Sequence, residues 1–154
     1  MLKSLVLAGA LLAAATLSAQ AQALVDGNAV DEIANLARGY GAASVDTASS
    51  GDPMITGKVS GIAYAIYFSN CTANANCEDL RFYAGFTDNK PTLEMVNEWN
   101  RDKRWGKAYT DSNLDAVLEW DVNLIHGVTR DNFDNTLGVW VGNLDAFAVF
   151  IGAK

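Results

Sequence analysis

From Ala116 to Leu124 the chain keeps a period of two. Ala116, Leu118, Trp120, Val122 and Leu124 fall on one side, and Val117, Glu119, Asp121 and Asn123 on the other. Successive side chains of an extended chain point to opposite faces, so this run reads as a strand with its first set inward and its second set outward. Such a strand needs a neighbour for its backbone and an apolar layer for its inner face, and an all-helical fold supplies neither. The neighbour is the short run Trp105–Thr110, joined through a turn at Asp111-Ser112-Asn113 to a strand Leu114–Leu124. In it Trp105, Lys107 and Tyr109 are expected on one face, and Gly106, Ala108 and Thr110 on the other.

The same period organises the middle of the chain. Ile62, Tyr64, Ile66 and Phe68 alternate with Ala63, Ala65, Tyr67 and Ser69, and Leu80–Phe86 returns with Leu80, Phe82, Ala84 and Phe86 on one face. Before them, Ala42–Ala48 and Met54–Val59 read as strands separated by the turn residues Ser49–Pro53. Ser60-Gly61 marks a break or bulge ahead of Ile62. The second face of this region, with Ala63, Ala65, Tyr67, Tyr83 and Gly85, is small and aromatic rather than charged, so a helix or a partner is expected to cover it.

Three helices complete the pattern. Val30, Ile33, Leu36 and Ala37 recur at helical spacing, with Asp31 and Glu32 in the first turn, Arg38 in the last, and Gly39 and Gly41 beyond. A second helix is expected over Thr92–Lys103 with Thr92 as its cap. A third begins after His126-Gly127 at Thr129 and carries a wide stripe of Phe133, Leu137, Trp140, Val141, Leu144, Ala148 and Ile151. The order α-β-β-β-α-β-β-α predicts an α+β fold: an antiparallel sheet of about five strands with helices packed on one face.

The first residues read as a signal peptide over 1–21. Lys3 precedes an apolar run, Leu5–Leu17, and Ala19-Gln20-Ala21 fits the small-x-small cleavage pattern, with Ala23 as the second choice of cleavage position. That apolar run is shorter than the roughly 20 residues of a spanning helix, and no other follows it, so no membrane insertion is expected after cleavage. The expected location is periplasmic or secreted, and 22–154 is one domain's length. Loss of Lys3 leaves ten basic against eighteen acidic residues, a net charge of −8. That balance disfavours phosphate contacts, so nucleic acid is not an expected partner. Cys71 and Cys77, with five residues between them, read as a disulfide in an exported chain.

Reaction chemistry is sparse. His126 is the only imidazole, and no serine or cysteine nucleophile lies near it in sequence. Asp111-x-Asn113-x-Asp115 opens like a calcium loop, but Ala116 stands where that loop needs glycine and Val122 where it needs glutamate. Glu119 and Asp121 share a strand face and offer an acid–base pair only in the sense that any exposed strand carboxylates do. There is no phosphate loop, no metal set and no expected cofactor. The unusual cluster is Asn97-x-Trp99-Asn100. Two amides beside the apolar arc of a helix need partners, either backbone at a strand edge or helix end, or a ligand held by Asn97, Trp99 and Asn100 together.

Several local motifs resemble the YbjN family of bacterial proteins, and in this order they span nearly all of 22–154. They are Gly51-Asp52-Pro53 followed by Ile55, Gly61 before an aromatic strand ending at Cys71, and Leu80-x-Phe82. Asn97-x-Trp99-Asn100, Lys107-Ala108-Tyr109, and Asp121 followed by Gly127-Val128 complete the set. The family is described as sensory transduction regulators. The resemblance implies a fold similar to class I type III secretion chaperones, an α+β sandwich that commonly dimerises and binds other proteins, and it carries no catalytic residues. A signal peptide departs from the cytosolic setting of such chaperones. The expectation is therefore a non-enzymatic, exported protein-binding or regulatory domain with a protein partner, a homodimer among the forms the resemblance implies. The alternative expectation is a small-molecule binder or hydrolase with a pocket near Trp99, Trp105 and Tyr109.

Overall fold

Six antiparallel strands form the main sheet in the order β2-β3-β4-β5-β7-β6, in a computed structural model that describes residues 24–154. The expected signal peptide and its cleavage position lie outside the described residues. The elements of the sheet are β2 (Ala42–Thr47), β3 (Pro53–Val59), β4 (Ile62–Ser69), β5 (Asp79–Phe86), β6 (Lys107–Thr110) and β7 (Ala116–Asn123). A separate pair, β1 (Leu24–Val25) and β8 (Val128–Thr129), ties the start of the domain to the beginning of the last helix. The helices are α1 (Val30–Arg38), α2 (Leu93–Asp102) and α3 (Arg130–Phe150).

The α+β class is as expected, with one strand more than predicted in the main sheet. Of the break or bulge expected at Ser60-Gly61, the structure has the break. The two residues sit at φ 51° and 87°, and left-handed angles at both positions make the tight turn that suits a two-residue hairpin. Met54–Val59 and Ile62–Ser69 are thus two strands paired from Val59↔Ile62 outward. β1 and β8 span two residues each, too few for any period to show.

One face of the sheet builds the core. Ile55, Ile66, Leu80, Phe82, Ala116 and Leu118 are fully buried there with Ile33, Ala34 and Ala37 of α1 and Phe133, Leu137, Trp140, Leu144 and Phe147 of α3. α3 lies along this layer. Trp140 packs on Phe82 at 5.4 Å and edge-on to Tyr64 at 6.4 Å, and one to two turns on, Phe147 meets Phe86 at 5.5 Å and Trp99 at 4.9 Å. Each fully buried Leu, Ile or Phe of this layer contributes roughly 1.5–3 kcal/mol relative to exposure.

The ends of the helices are satisfied by their own sequence. Thr92 Oγ1 accepts from the Met95 N–H at 3.2 Å, and Thr129 Oγ1 accepts from the Asn132 N–H at 3.2 Å. Each cap bonds one N–H that the first turn leaves unpaired. No helix among the described residues is long and apolar enough to cross a membrane.

The connection after β5 skips a place. The chain leaves β5, runs through α2, forms the outer strand β6, and returns as β7 between β6 and β5. This brings Glu119 and Asp121 beside Tyr83 and Arg81, residues that lie 36 and 40 positions apart in sequence.

Candidate functional site: the open face of the sheet

All three helices pack on the same side, and the other face of the sheet carries none of them. The strand register writes that face out in rows. One row runs Ser44, Thr56, Ala65, Tyr83, Glu119, Lys107, and the next runs Asp46, Met54, Tyr67, Arg81, Asp121. Tyr67 and Tyr83 meet edge-to-face, ring centroids 6.1 Å apart. On one side of this pair lies a hollow of about 480 Å³, reaching from Ser50, Asp52 and Asn70 to Arg81, Tyr109 and Glu119. On the other side lies a second hollow of about 330 Å³ over Ala63, Ala65 and Gly85.

Glu119 was expected to face water, and here the structure corrects the sequence. It is 5 % exposed and is the buried charged residue among those described. Its surroundings explain how a carboxylate survives there. The Tyr109 hydroxyl donates to Oε2 at 2.7 Å, while Lys107 Nζ lies 3.0 Å and Arg81 Nε 3.2 Å from Oε1. Arg81 Nε also donates to Asp121 Oδ1 at 2.9 Å, and Lys107 reaches Asp121 at 3.6 Å. Two cations and two carboxylates therefore balance within one patch, and a buried charge with several charge-assisted bonds escapes most of its desolvation cost. Val117, also expected outside, is 1 % exposed; it sits opposite Tyr109 in the ladder.

The titration of the neighbours follows from this geometry. Burial, and then the bond to Glu119, push the Tyr109 phenol well above its ordinary range. The bonds to Asp121 and Glu119 hold Arg81 and Lys107 above their ordinary values against the smaller opposing effect of burial. Tyr109, Lys107 and Arg81 therefore keep their protons at neutral pH.

The residues singled out in the sequence do not gather in one place. Tyr109 belongs to the open face. Trp99 is 1 % exposed in the core, against Phe147 and Phe150, with Lys103 Nζ 5.4 Å over its ring. Trp105 precedes β6 and lies against Trp120, 5.5 Å away, rather than beside Lys107 and Tyr109. The cause is Gly106, whose φ of 78° takes the chain out of the extended conformation before β6 starts. The pocket expected near Trp99, Trp105 and Tyr109 is therefore not assembled, because Trp99 is buried in the core, Trp105 lies half exposed against Trp120, and Tyr109 stands on the other face.

The two amides also part company. Asn100 holds the edge of β6. Its Nδ2 donates to the Ala108 carbonyl at 2.9 Å and its Oδ1 accepts from the Ala108 N–H at 2.8 Å. Asn97 points to water with Glu98, so the expected triplet of Asn97, Trp99 and Asn100 does not form a ligand set. Cys71 and Cys77 are joined, closing the loop between β4 and β5. From that loop Asn74 Nδ2 donates to Asp52 Oδ1 at 3.0 Å, binding the loop to the β2–β3 turn at the rim of the larger hollow. His126 is exposed in the turn before β8 at φ 67°. Among the described residues no group of three metal-binding side chains comes together.

Residue by residue, then, the helix-free face carries a tyrosine pair, two hollows and an ionic cluster. The model of the YbjN family, described as "Putative bacterial sensory transduction regulator", matches residues 29–152. The chain belongs to the YbjN family. No curated protein matches the chain. In this YbjN domain the described helices leave one face of the sheet uncovered, and the ionic cluster lies on it. Tyr67 and Tyr83 were placed on the second face by the sequence, but Arg81 and Lys107 escaped notice as its charged members because a strand's period tells which residues share a face but not which strands are neighbours. The visible signal was an arginine and a tyrosine, Arg81 and Tyr83, on the outer positions of an otherwise greasy strand.

Proposed function

We propose that this YbjN domain is a non-enzymatic, exported regulatory module that binds a segment of a partner protein on the open face of its sheet. One observation carries the reading. A six-stranded sheet has one face packed by helices and the other bearing a tyrosine pair flanked by two hollows, with its buried carboxylate engaged by Tyr109, Lys107 and Arg81. Exposed apolar and aromatic surface rimmed by polar groups is what protein recognition uses. A carboxylate held by three partners of its own sheet is used to tie β5, β6 and β7 together. The apolar leader before Gln22 supports export, and the paired cysteines fit an oxidising compartment.

The test is site-directed photocrosslinking in the periplasm, with a photoreactive residue replacing Tyr67 or Ala65 on the open face or Val149 on the exposed side of α3. A defined adduct from the open-face positions alone supports the reading, and its mass separates a second copy from another protein. A protein that stays monomeric and forms no adduct from either side refutes it. Intact mass of the recovered protein tests export, with cleavage after Ala21 as the expected result.

A further inference from the structure

Resting on that open-face reading, we infer that Arg81 is its anion-recognition point and that the bound segment places a carboxylate there, next to an apolar or aromatic group lying against Tyr67 and Tyr83. Three charged residues line the larger hollow: Asp52, Arg81 and Glu119. Asp52 already accepts from Ser50 Oγ at 2.9 Å and from Asn74 at 3.0 Å. Glu119 is filled by Tyr109, Lys107 and Arg81. Arg81 is different. Only its Nε is used, toward Asp121 and Glu119, and its two Nη amines make no hydrogen bond among the described residues. The side chain is 47 % exposed.

A guanidinium presents its donors as a planar fork that fits a carboxylate in two parallel bonds. Here the Nε edge is anchored by two carboxylates, so the plane of the fork is set before anything binds, which lowers the entropy lost on binding. The same two carboxylates choose the ligand. Arg81 and Lys107 are already balanced by Glu119 and Asp121, so a carboxylate adds one negative charge to the patch where a phosphate dianion adds two, and the dianion is opposed the more strongly. Tyr67, directly opposite Arg81 in the ladder, and Tyr83 supply the apolar wall beside the charge.

The experiment uses the processed protein and two small probes, N-acetyl-alanyl-phenylalanine with a free carboxylate and the same dipeptide as its amide, with inorganic phosphate as a third arm. Binding is followed through the Arg81 side-chain NMR signals and the ring signals of Tyr67 and Tyr83 at low ionic strength. The acid is expected to shift these signals saturably and to bind at least tenfold more tightly than the amide or phosphate. Arg81→Gln is expected to remove that preference, and Arg81→Lys to keep part of it. Acid and amide binding equally, phosphate matching the acid, or no saturable shift overturns the inference, and the comparison of acid with amide needs no variant to fold. A partner captured on the open face with equal strength by the protein and by a folded Arg81→Gln variant would leave the docking surface in place and remove Arg81 from it.

Discussion

Tyr109 donates its hydroxyl to Glu119 across the β6–β7 ladder at 2.7 Å, two residues out of direct register, and so joins the edge strand to the buried carboxylate. The bond sets an alkaline limit on the fold. Tyr109 is raised from the ordinary 10.0, and a raised folded value gives a definite sign. Below pH 10.0 the folded and unfolded chains both hold the proton and the bond stands in full. Above it the unfolded phenol ionises while the folded one resists, so stability falls until the folded phenol ionises as well. Lys107, raised from 10.5, adds to the loss in the same direction. Denaturant titrations at pH 7 and pH 11 are expected to show Tyr109→Phe less stable by about 1–2 kcal/mol at the lower pH, and to show the gap between variant and parent narrowing at the higher.

Asn100 and Asn97 sit one turn apart on α2 and should behave oppositely. Asn100→Ala removes both partners of the Ala108 backbone, and Ala108 is 4 % exposed. Leaving buried backbone groups unpaired costs about 1–3 kcal/mol, and thermal unfolding is expected several degrees lower. Asn97→Ala removes no bond and is expected within roughly 0.5 kcal/mol of the parent. Equal effects at the two positions would contradict the clamp.

The buried indoles make a sharper comparison. The Nε1 of Trp140 and that of Trp99 find no hydrogen-bond partner. Trp140→Phe discards a donor that was unpaired anyway and is expected to cost under about 1.5 kcal/mol, whereas Trp140→Ala opens a cavity against Phe82 and Tyr64 and is expected to cost about 3–5 kcal/mol. Chemical denaturation separates the two.

Reduction of the Cys71–Cys77 bond tests the loop it closes. A closed loop this short lowers unfolded-chain entropy by about 2–3 kcal/mol. The reduced protein is expected to lose stability of that order and to exchange its amides faster at Ser50–Asp52, the turn that Asn74 binds. Alkylation of both cysteines without prior reduction, read by intact mass, would contradict the bond itself.

How far the sequence could be read differs between the fold and the site. Wherever a residue's neighbours lie within one element, the reading held: the caps Thr92 and Thr129, the stripes of α1 and α3, and the alternation of β4 and β5 are local facts. It failed where strands meet. Nothing local says that β7 lies beside β5, so the burial of Glu119 by an arginine from another hairpin was invisible. It ran short also at single glycines. Ser60-Gly61 left break and bulge open where the structure has a hairpin turn, and Gly106 placed Trp105 apart from Tyr109, because a left-handed φ redirects a chain without changing its hydropathy. The Asn97–Asn100 pair shows both limits, since strand-edge backbone was a correct expectation for Asn100 and none was available for Asn97.

The amide of Asn100 has a consequence for assembly. By taking the N–H and C=O of Ala108, it stands where a seventh strand would begin, and a foreign chain that tried to lengthen the sheet at β6 would first have to displace it. At the opposite border, Arg38 takes the Ala43 carbonyl alone at 3.0 Å, and Val45 is left 44 % exposed. The sheet is therefore directional: growth by strand addition is open at β2 and closed at β6, and an added strand would continue the rows of Tyr67 and Tyr83 from the end farthest from Glu119.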